Sequence, residues 1–303
     1  MNPPAAVSAS PRAGTCKICA GRTRPFADIQ ANRTCEDEKR PVFEPSPRLI
    51  AYRRCTACGL IATTDFDRLT DAELAAEIYN ADYVRADPDF AGRRPFYKAA
   101  QYGPLLHRLP IRIRGLDYGG GNGMFARLMG EHGVHFDSYD PYLGDTTAPT
   151  GQYDIITAFE VIEHSRTPMQ TLADILAHLK PDGVLLFATS IQPRGVTPDW
   201  AYIAPRNGHV SLHSAASLRK MAKAAGTRLL SLSDHAHIIF HPQHPATAAA
   251  LMHAWPLDDV LYNASMRGPA HLLRVILVLR ALGAERSPGL PRHMLRALLH
   301  IRA

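Results

Sequence analysis

Residues 111–123 read IRIRGLDYGGGNG, and the chain continues from residue 124 as MFARLMGE. Isoleucine alternates with arginine at the start, glycine occupies positions 119, 120, 121 and 123, and a helix-forming stretch follows up to Gly133. Glycine is needed where a backbone turns sharply and where a ligand approaches it closely. The stretch therefore predicts a strand over 111–117, a glycine-rich loop, and a helix over 124–131 that ends at a glycine.

Strand and helix patterns alternate beyond this loop. The predicted elements are strands over 134–139, 153–159 and 184–190, helices over 167–179 and 214–225, a turn at 181–183, and a strand hairpin over 227–233 and 235–241. Strands that alternate with helices of about 10–15 residues are typical of a parallel, doubly wound α/β sheet. The fold class predicted for this part of the chain is therefore α/β.

A second acidic residue indicates the kind of ligand. Asp140 lies 23 positions after Asp117, at the end of the next predicted strand. A carboxylate in that place can accept hydrogen bonds from both ribose hydroxyls of an adenosine. The spacing D-x-G-x-G-x-G differs from the dinucleotide fingerprint, and the G-K-[ST] ending of a phosphate-binding loop is absent from the sequence. The loop therefore indicates a cofactor that contains adenosine.

Residues 111–241 resemble a class I S-adenosylmethionine-dependent methyltransferase. The stretches that carry the resemblance are GLDYGGGNGMFARLM, SYDPY, YDIITAFEVIEHSRTP and KPDGVLLFATS. The resemblance implies a Rossmann-like, seven-stranded sheet in the order 3-2-1-4-5-7-6 with the last strand antiparallel. Only 12 residues, 141–152, separate Asp140 from the next predicted strand, so the usual helix and third strand are expected to be shortened or missing. Asp145 is then a candidate for contact with the adenine amine.

The resemblance also implies how this cofactor is bound. The residues expected to hold its methionine part are Asp117, Gly119, Gly121 and Gly123. Asp140 is expected to hold the ribose, and Phe159 and Glu160 to form the rim shared by cofactor and substrate.

Four of the five cysteines form two close pairs. Cys16 and Cys19 make one C-x-x-C pair, and Cys55 and Cys58 make the second. Four thiolates suit tetrahedral zinc, and four protein ligands leave no open position, so the zinc is predicted to be structural. Unrelated free cysteines are the alternative, and a redox pair is disfavoured because no βαβ pattern adjoins. Cys35, in the intervening loop, is expected to be a bystander.

The cysteine pairs extend the resemblance. Two C-x-x-C knuckles before such a domain, with Tyr79 and Tyr83 between, are similar to zinc-ribbon methyltransferases that act on nucleotide-linked sugars. Tyr79 and Tyr83 are predicted to fold over the cofactor, with ordinary helix packing as the alternative.

The sequence offers several groups for the chemistry of methyl transfer. The enzyme mainly positions the acceptor and, where needed, removes its proton. Glu163 and His164 are candidate catalytic residues directly after a predicted strand, and His209 is a candidate general base in the stretch YIAPRNGHVSLH. The alternative for Glu163 and His164 is helix capping, and for His209 a surface position.

A divalent metal is a further interpretation of these groups. Glu160, Glu163 and His164 form an E-x-x-E-H motif. With a downstream histidine, this motif is similar to metal-dependent 2′-O-methyltransferases of small RNA and to some quinone O-methyltransferases. There the side chains hold Mg²⁺ or a similar ion near the hydroxyl, whose pKa such an ion would lower.

The predicted organisation divides the chain into five stretches. They are a disordered segment 1–14, a zinc-binding ribbon 15–69, a helical connector 70–108, the methyltransferase domain 109–241, and a helical, basic segment 242–303. No signal peptide is evident at the start, and no apolar run is long enough to span a bilayer. The sequence therefore predicts a cytoplasmic protein with reduced cysteines.

Composition and charge exclude some classes of protein and of binding partner. A hydrophobic share of 46% over 303 residues excludes a disordered chain, and 5 Cys exclude a disulfide-dense scaffold. The net charge of +6 belongs to residues 267–303, which hold seven Arg and one Glu; the rest has 27 basic and 27 acidic side chains. The charge predicts peripheral contact of 267–303 with an anionic membrane or an acidic partner, with packing on its own fold as the alternative. It does not support a nucleic-acid substrate.

The sequence as a whole predicts a methyltransferase that uses S-adenosylmethionine on a small molecule, a sugar or nucleotide-linked sugar being the favoured class. One alternative is a divalent-metal-dependent O-methyltransferase that uses Glu160, Glu163 and His164. Another is a non-catalytic module that senses the cofactor. A nucleic-acid methyltransferase is disfavoured, since no Asn/Asp-Pro-Pro-Tyr signature follows the strand and no Cys lies in 109–241.

Overall fold

A computed structural model describes residues 14–142, 148–256 and 275–276. Its strands, in chain order, are β1 Thr23–Gln30, β2 Leu49–Cys55, β3 Ile61–Thr63, β4 Arg114–Tyr118, β5 His135–Tyr139, β6 Tyr153–Phe159, β7 Leu179–Ala188, β8 Ser211–Leu212, β9 Arg228–Ser231 and β10 Ala236–Phe240. Its helices are α1 Asp71–Glu77, α2 Tyr83–Ala86, α3 Arg93–His107, α4 Met124–Glu131, α5 Pro168–Ala177, α6 Ala215–Ala224 and α7 Ala246–Ala254.

The described residues form two compact units, each assembled from separated stretches of chain. Unit 1 takes its described residues from Met1–Ala91, Glu160–Ala177 and Ser190–Ala225. Unit 2 takes them from Gly92–Phe159, His178–Thr189 and Gly226–Ala303. The boundaries predicted above run consecutively along the chain and remain a prediction.

Unit 2 contains a six-stranded mixed sheet in the order β5-β4-β6-β7-β10-β9. Strands β4, β5, β6 and β7 are parallel, and β10 is antiparallel to both β7 and β9. The predicted hairpin at the end of the pattern is thus confirmed, and the predicted α/β fold class is confirmed for this unit.

The expected seventh strand is absent from the described part of the chain. The 12-residue stretch 141–152 is too short for a helix followed by a strand, because a parallel crossover needs about a dozen residues or more for the connection alone. The prediction for Asp145 lies outside the described residues.

The predicted turn at 181–183 is wrong, because these residues belong to β7. Tyr153 pairs with Leu179, yet Ile155 pairs with Val184, so three extra residues of β7 bulge out of the ladder there. Their Pro-Asp-Gly sequence favours turn geometry, and a bulge accommodates it without ending the strand.

The core of unit 2 explains why its strands are apolar on both faces. Leu116, Ile155 and Leu186 are fully buried in the sheet. Helices α3, α4 and α7 contribute side chains to the same cluster, which also contains Val275 and Ile276. Burial of an aliphatic side chain contributes about 1.5–3 kcal/mol, which favours a sheet covered on both faces.

Unit 1 contains a four-stranded antiparallel sheet in the order β1-β2-β3-β8. Strand β8 is a short piece from far along the chain, and Ile61 and Ala62 of β3 pair with Leu212 and Ser211. The predicted helix over 214–225 is present as α6, with Ser214 as its N-cap.

The two ends of the chain are only partly described. Helix α7 falls in the predicted helical segment 242–303, but most of 267–303 and its arginines lies outside the described residues, as do residues 1–13 of the predicted disordered segment. Among the helices that the structure describes, none has the length and apolar character needed to cross a membrane.

Candidate functional site

The glycine loop of unit 2 connects β4 to α4. Gly119, Gly121 and Gly123 have φ angles of +75°, +55° and +72°, in the left-handed region that side chains disfavour. The amides of Gly119 and Gly120 donate to the Tyr139 carbonyl at 2.7 and 3.1 Å, which ties the loop to the end of β5. A Cβ at Gly121 would meet nothing within 4 Å, so the loop presents an open backbone surface.

Asp117 is a buried acid in β4, close to the start of this loop. Its Oδ1 accepts a hydrogen bond from Thr157 Oγ1 at 2.7 Å, and the residue is 4% exposed. Burial raises the pKa of the Asp117 carboxyl to about 7, opposed by the Thr157 hydrogen bond and reinforced by the Asp140 charge. A Cβ at Gly120 would lie 2.4 Å from Ser138 Oγ and 2.6 Å from Asp117 Oδ2, so this position has no room for a side chain.

Asp140, the residue predicted to hold the ribose, lies directly after β5. Its Oδ2 accepts from the Gly121 amide at 3.0 Å, and its Oδ1 accepts from the Tyr142 amide at 2.9 Å. A carboxylate has about four acceptor positions, so Asp140 can hold the loop and accept hydroxyl donors at once. The open loop and this carboxylate fit an adenosine-containing cofactor.

Phe159 ends β6 in an aromatic cluster of unit 2. Its ring stacks on Tyr102 at 5.2 Å and meets the edge of Phe125 at 5.3 Å. The Lys98 ammonium lies 5.1 Å from the centre of the Phe159 ring. These contacts fix the ring in place at the carboxyl end of the strand.

Glu160 and Glu163 of unit 1 are linked by a tyrosine that the sequence did not indicate. Tyr202 Oη lies 2.9 Å from Glu160 Oε2 and also hydrogen-bonds to Glu163 Oε1. Glu160 has a φ of +55°, a strained conformation for a residue with a side chain. No motif could have revealed Tyr202, because it lies 39 positions from Glu163.

Glu163 is fully buried on a 3₁₀ helix, Ile162–His164. Burial raises the pKa of its carboxyl well above the usual value, and the charge of Glu160 raises it further. Its Oε2 has no hydrogen-bond partner among the described residues. A buried oxygen without a partner is suited to a ligand that donates a hydrogen bond or carries positive charge.

His164 and His209 stand edge to face beside Glu163, with ring centres 4.9 Å apart. His209 is 4% exposed, so the surface position considered as its alternative is wrong. Its Nδ1 lies 2.8 Å from the Tyr202 carbonyl oxygen, which can only accept, so Nδ1 carries the proton. The neutral ring then has its basic nitrogen at Nε2.

The ligand atoms of Glu163, His164 and His209 all lie within 4.8 Å of one another. This group differs from the predicted one because Glu160 does not belong to it, and the downstream histidine that it contains is His209. Two imidazole nitrogens and a carboxylate oxygen at this spacing fit a divalent cation.

Tyr79 and Tyr83 have their described contacts within unit 1. Tyr79 Oη is 3.2 Å from His164 Nδ1, and Tyr83 Oη donates to the Asn207 carbonyl at 3.4 Å. The two rings meet edge to face at 5.1 Å. Tyr79 thus lies beside the acid–histidine cluster formed by Glu160, Glu163, His164, His209 and Tyr202, and cofactor contact by either tyrosine stays a prediction.

The two cysteine pairs converge in unit 1. The sulfur atoms of Cys16, Cys19, Cys55 and Cys58 lie within 4.8 Å of one another, the closest pairs being separated by 3.5 and 3.6 Å. Four sulfurs around zinc at about 2.3 Å would be about 3.8 Å apart, so this four-cysteine site fits the ion.

The remaining cysteine is separate from this site. Cys35 Sγ is 3.8 Å from His209 Nδ1, and the Cys35 amide donates to Asn207 Oδ1 at 2.9 Å. Gly59, directly after Cys58, has a φ of +77°, which lets the chain turn sharply after the second cysteine pair.

The sheet order defines an α/β domain. Residues 90–232, a little under half of the chain, match the model of a family described as a methyltransferase domain.

A ubiquinone biosynthesis O-methyltransferase from Nitrosococcus oceani is 32% identical over 114 residues, 36% of this chain and 48% of that protein. The match thus spans about half the length of that relative. Among solved structures, an O-methyltransferase family protein from Burkholderia thailandensis is 15% identical, with a TM-score of 0.39, over 51% of this chain and 59% of that chain. The SAH-bound form of CalO1, a methyltransferase in calicheamicin biosynthesis, is 16% identical, with a TM-score of 0.37, over 59% of this chain and 69% of that chain.

Proposed function

We propose that this protein transfers a methyl group from S-adenosylmethionine to a small molecule. The observation that carries the proposal is the glycine loop with its open backbone at Gly121, tied to Asp140 at the carboxyl edge of a methyltransferase sheet. Bound S-adenosylmethionine supplies an electrophilic methyl group on a sulfonium. Asp140 would hold the ribose hydroxyls, and Asp117 would support the loop against the methionine part.

A hydroxyl is the favoured acceptor, because the acid–histidine cluster offers groups that can take its proton. In the transfer, the methyl–sulfur bond breaks, a methyl–oxygen bond forms, and the hydroxyl proton passes to a base. His209 is the proposed base, since its Nδ1 donates to the Tyr202 carbonyl and its Nε2 is the basic nitrogen. Proton removal of this kind contributes about 10²–10⁴-fold to a rate.

The acceptor class is proposed as a sugar or a nucleotide-linked sugar. Its support is the pair of C-x-x-C knuckles followed by Tyr79 and Tyr83, which resembles methyltransferases that act on such substrates. The converging sulfurs support structural zinc at the four-cysteine site. Metal analysis of protein purified without chelator tests the zinc, and a value well below one ion per chain would contradict it.

The transfer itself is tested with cofactor labelled in its methyl group and a fractionated cell extract supplemented with sugars and nucleotide-linked sugars. Wild type should label at least one fraction, and Asp140→Ala should not. Asp182→Asn, which changes an exposed carboxylate of the same unit, is the matched control and should behave as wild type. Cofactor binding in calorimetry without labelling of any fraction would instead support the cofactor-sensing module. Absence of cofactor binding would contradict both the methyl transfer and the cofactor-sensing module.

A divalent-metal-dependent O-methyltransferase is the second candidate, favoured by the converging ligand atoms of Glu163, His164 and His209. These residues would hold the ion, which would lower the pKa of the acceptor hydroxyl. Calorimetric titration with Mg²⁺ should then show binding to wild type and not to His164→Ala. Full transfer activity after exhaustive chelation, with the cysteine metal retained, would contradict this candidate.

A membrane or acidic partner for 267–303 remains a separate proposal, based on its seven arginines. Flotation with anionic liposomes, with and without these residues, tests it. Equal recovery of both proteins would remove the membrane contact.

A further inference from the structure

The second cysteine pair lies in a hairpin of unit 1 between β2 and β3. Cys55 is the last residue of β2, and Cys58 lies in the turn before β3 begins at Ile61. The Cys55 amide donates to the Leu60 carbonyl at 2.8 Å, and the Gly59 amide donates to the Cys55 carbonyl at 3.0 Å. These bonds make the turn and both strands one cysteine hairpin, Leu49–Thr63.

The first strand of the cysteine hairpin contacts the candidate base directly. Tyr52 lies three positions before Cys55 and is 1% exposed. Its Oη donates to the backbone carbonyl of His209 at 2.7 Å, across 157 positions of sequence. Because the phenol ring is enclosed, its hydroxyl cannot follow a displaced His209 without repacking of the strand.

The second strand of the hairpin holds the residues that follow His209. The Thr63 amide donates to the Val210 carbonyl at 3.1 Å, next to the β3–β8 ladder. On its other side, the Val210 amide donates to the Glu163 carbonyl at 2.9 Å. The stretch 209–212 is therefore held between the cysteine hairpin and the segment that carries Glu163.

The metal-binding turn itself is tied to the same stretch. Ser214 Oγ donates to the Cys58 carbonyl at 2.5 Å. Gln192 Nε2 donates to the Gly59 carbonyl at 3.0 Å and to the Leu212 carbonyl at 2.7 Å. A change in the conformation of the turn would thus be transmitted to Leu212 and Ser214, at the carboxyl end of the stretch 209–214.

We propose that Tyr52 is a positioning residue for methyl transfer, and that the cysteine hairpin fixes the place of the His209 imidazole through it. The metal held by the four cysteines would then serve the reaction by holding this hairpin, in addition to stabilising the fold. The inference rests on the proposed function, because it takes His209 as the base. The cofactor loop belongs to unit 2 and has no part in these contacts.

The test compares Tyr52→Phe with Tyr153→Phe. Both changes remove the hydroxyl of a tyrosine that is 1% exposed, and Tyr153 Oη donates to Asp137 Oδ2 at 2.9 Å in unit 2. Tyr52→Phe should lower kcat for the acceptor about tenfold, because a displaced base loses the reactive geometry. The cofactor Kd and the metal content should stay at wild-type values, and Tyr153→Phe should keep the wild-type kcat.

A second measurement is independent of activity. In protein with histidine isotopically labelled at Cε1, the His209 resonance is identified by its loss in His209→Gln. It should move in Tyr52→Phe and in wild type stripped of its cysteine metal, and stay in place in Tyr153→Phe.

Three outcomes would overturn the inference. They are an unmoved His209 resonance in Tyr52→Phe, an equal loss of kcat in both tyrosine variants, and a fall in cofactor affinity that matches the fall in kcat. If wild type transfers no methyl group, the proposed function fails, while the resonance still decides whether Tyr52 positions His209.

Discussion

The glycine loop and the acid–histidine cluster are built in opposite ways. The loop is one continuous stretch, in which Gly119 to Gly123 turn between a strand and a helix and bond to Tyr139 and Asp140 of the neighbouring strand end. The cluster joins Glu163 to Tyr202, which lies 39 positions further along the chain, and to His209 beyond it. The loop depends on local backbone geometry, whereas the cluster depends on the folding of the whole of unit 1.

This difference predicts that the two sites fail independently. Changes in the four-cysteine site and its hairpin should affect the cluster and spare cofactor binding, and changes beneath the loop should do the reverse. The variants below separate these two responses.

The largest effect is expected from Cys58→Ser, because a structural zinc site supplies about 10–16 kcal/mol of apparent binding free energy that stabilises the fold. The variant should lose its metal and unfold at lower temperature, as measured by metal analysis and calorimetry. Cys35→Ser is the matched control, since Cys35 lies outside the four-cysteine site. Retention of a full metal complement by Cys58→Ser would contradict the assignment of its ligands.

His209→Gln should lower kcat about 100-fold, equivalent to about 2.7 kcal/mol, because it removes the proposed base. The cofactor Kd, measured by calorimetry, should not change. His135→Gln replaces a histidine exposed on β5 and serves as the control. Wild-type turnover by His209→Gln would show that another group removes the proton of the acceptor hydroxyl.

Gly120→Ala should have the opposite effect from His209→Gln, because it should weaken cofactor binding. The added Cβ would lie 2.4 Å from Ser138 Oγ and 2.6 Å from Asp117 Oδ2, and overpacking of this kind costs about 1–3 kcal/mol. Gly130→Ala in α4 has open space at its Cβ and should be neutral or slightly stabilising. An unchanged cofactor Kd in Gly120→Ala would contradict the prediction that the loop binds the cofactor.

Asp117 should give the free energy of unfolding a pH dependence. Its pKa is raised by burial to about 7, so in the folded state it stays protonated where the unfolded chain has lost the proton. Between about pH 4 and about pH 7 the free energy of unfolding should therefore fall by up to about 1.4 kcal/mol per pH unit relative to Asp117→Asn. Urea unfolding of both proteins measures this difference, and parallel pH profiles would contradict it.

The sequence predicted the loop because its signals are local. Glycines with positive φ, the strand before them and the acid at the next strand end all lie within one short stretch, so β4, α4 and the place of Asp140 follow from neighbouring residues. The absence of a seventh strand from the described residues agrees with the 12 residues that separate Asp140 from β6. The 181–183 turn was mispredicted because Pro-Asp-Gly has the same local preference in a bulge as in a turn.

Only part of the acid–histidine cluster could be predicted from the sequence, because its residues come together from distant stretches of the chain. Glu163, His164 and His209 could be singled out as reactive residue types. Their convergence within 4.8 Å, however, involves a backbone hydrogen bond between distant stretches, from the Val210 amide to the Glu163 carbonyl. The bridging role of Tyr202 and the hydrogen bond from Tyr52 have no signature in the sequence, because tyrosine is common in packed cores.

The sequence by itself determined the α/β fold class, the glycine loop and the two cysteine pairs, since each follows from patterns within short stretches of the chain. Only the tertiary structure decided that the four sulfurs converge, that His209 is buried, and that the cysteine hairpin bonds to its backbone. Contacts across 157 positions are specified by burial and hydrogen-bond satisfaction in the folded chain, and no local pattern encodes them.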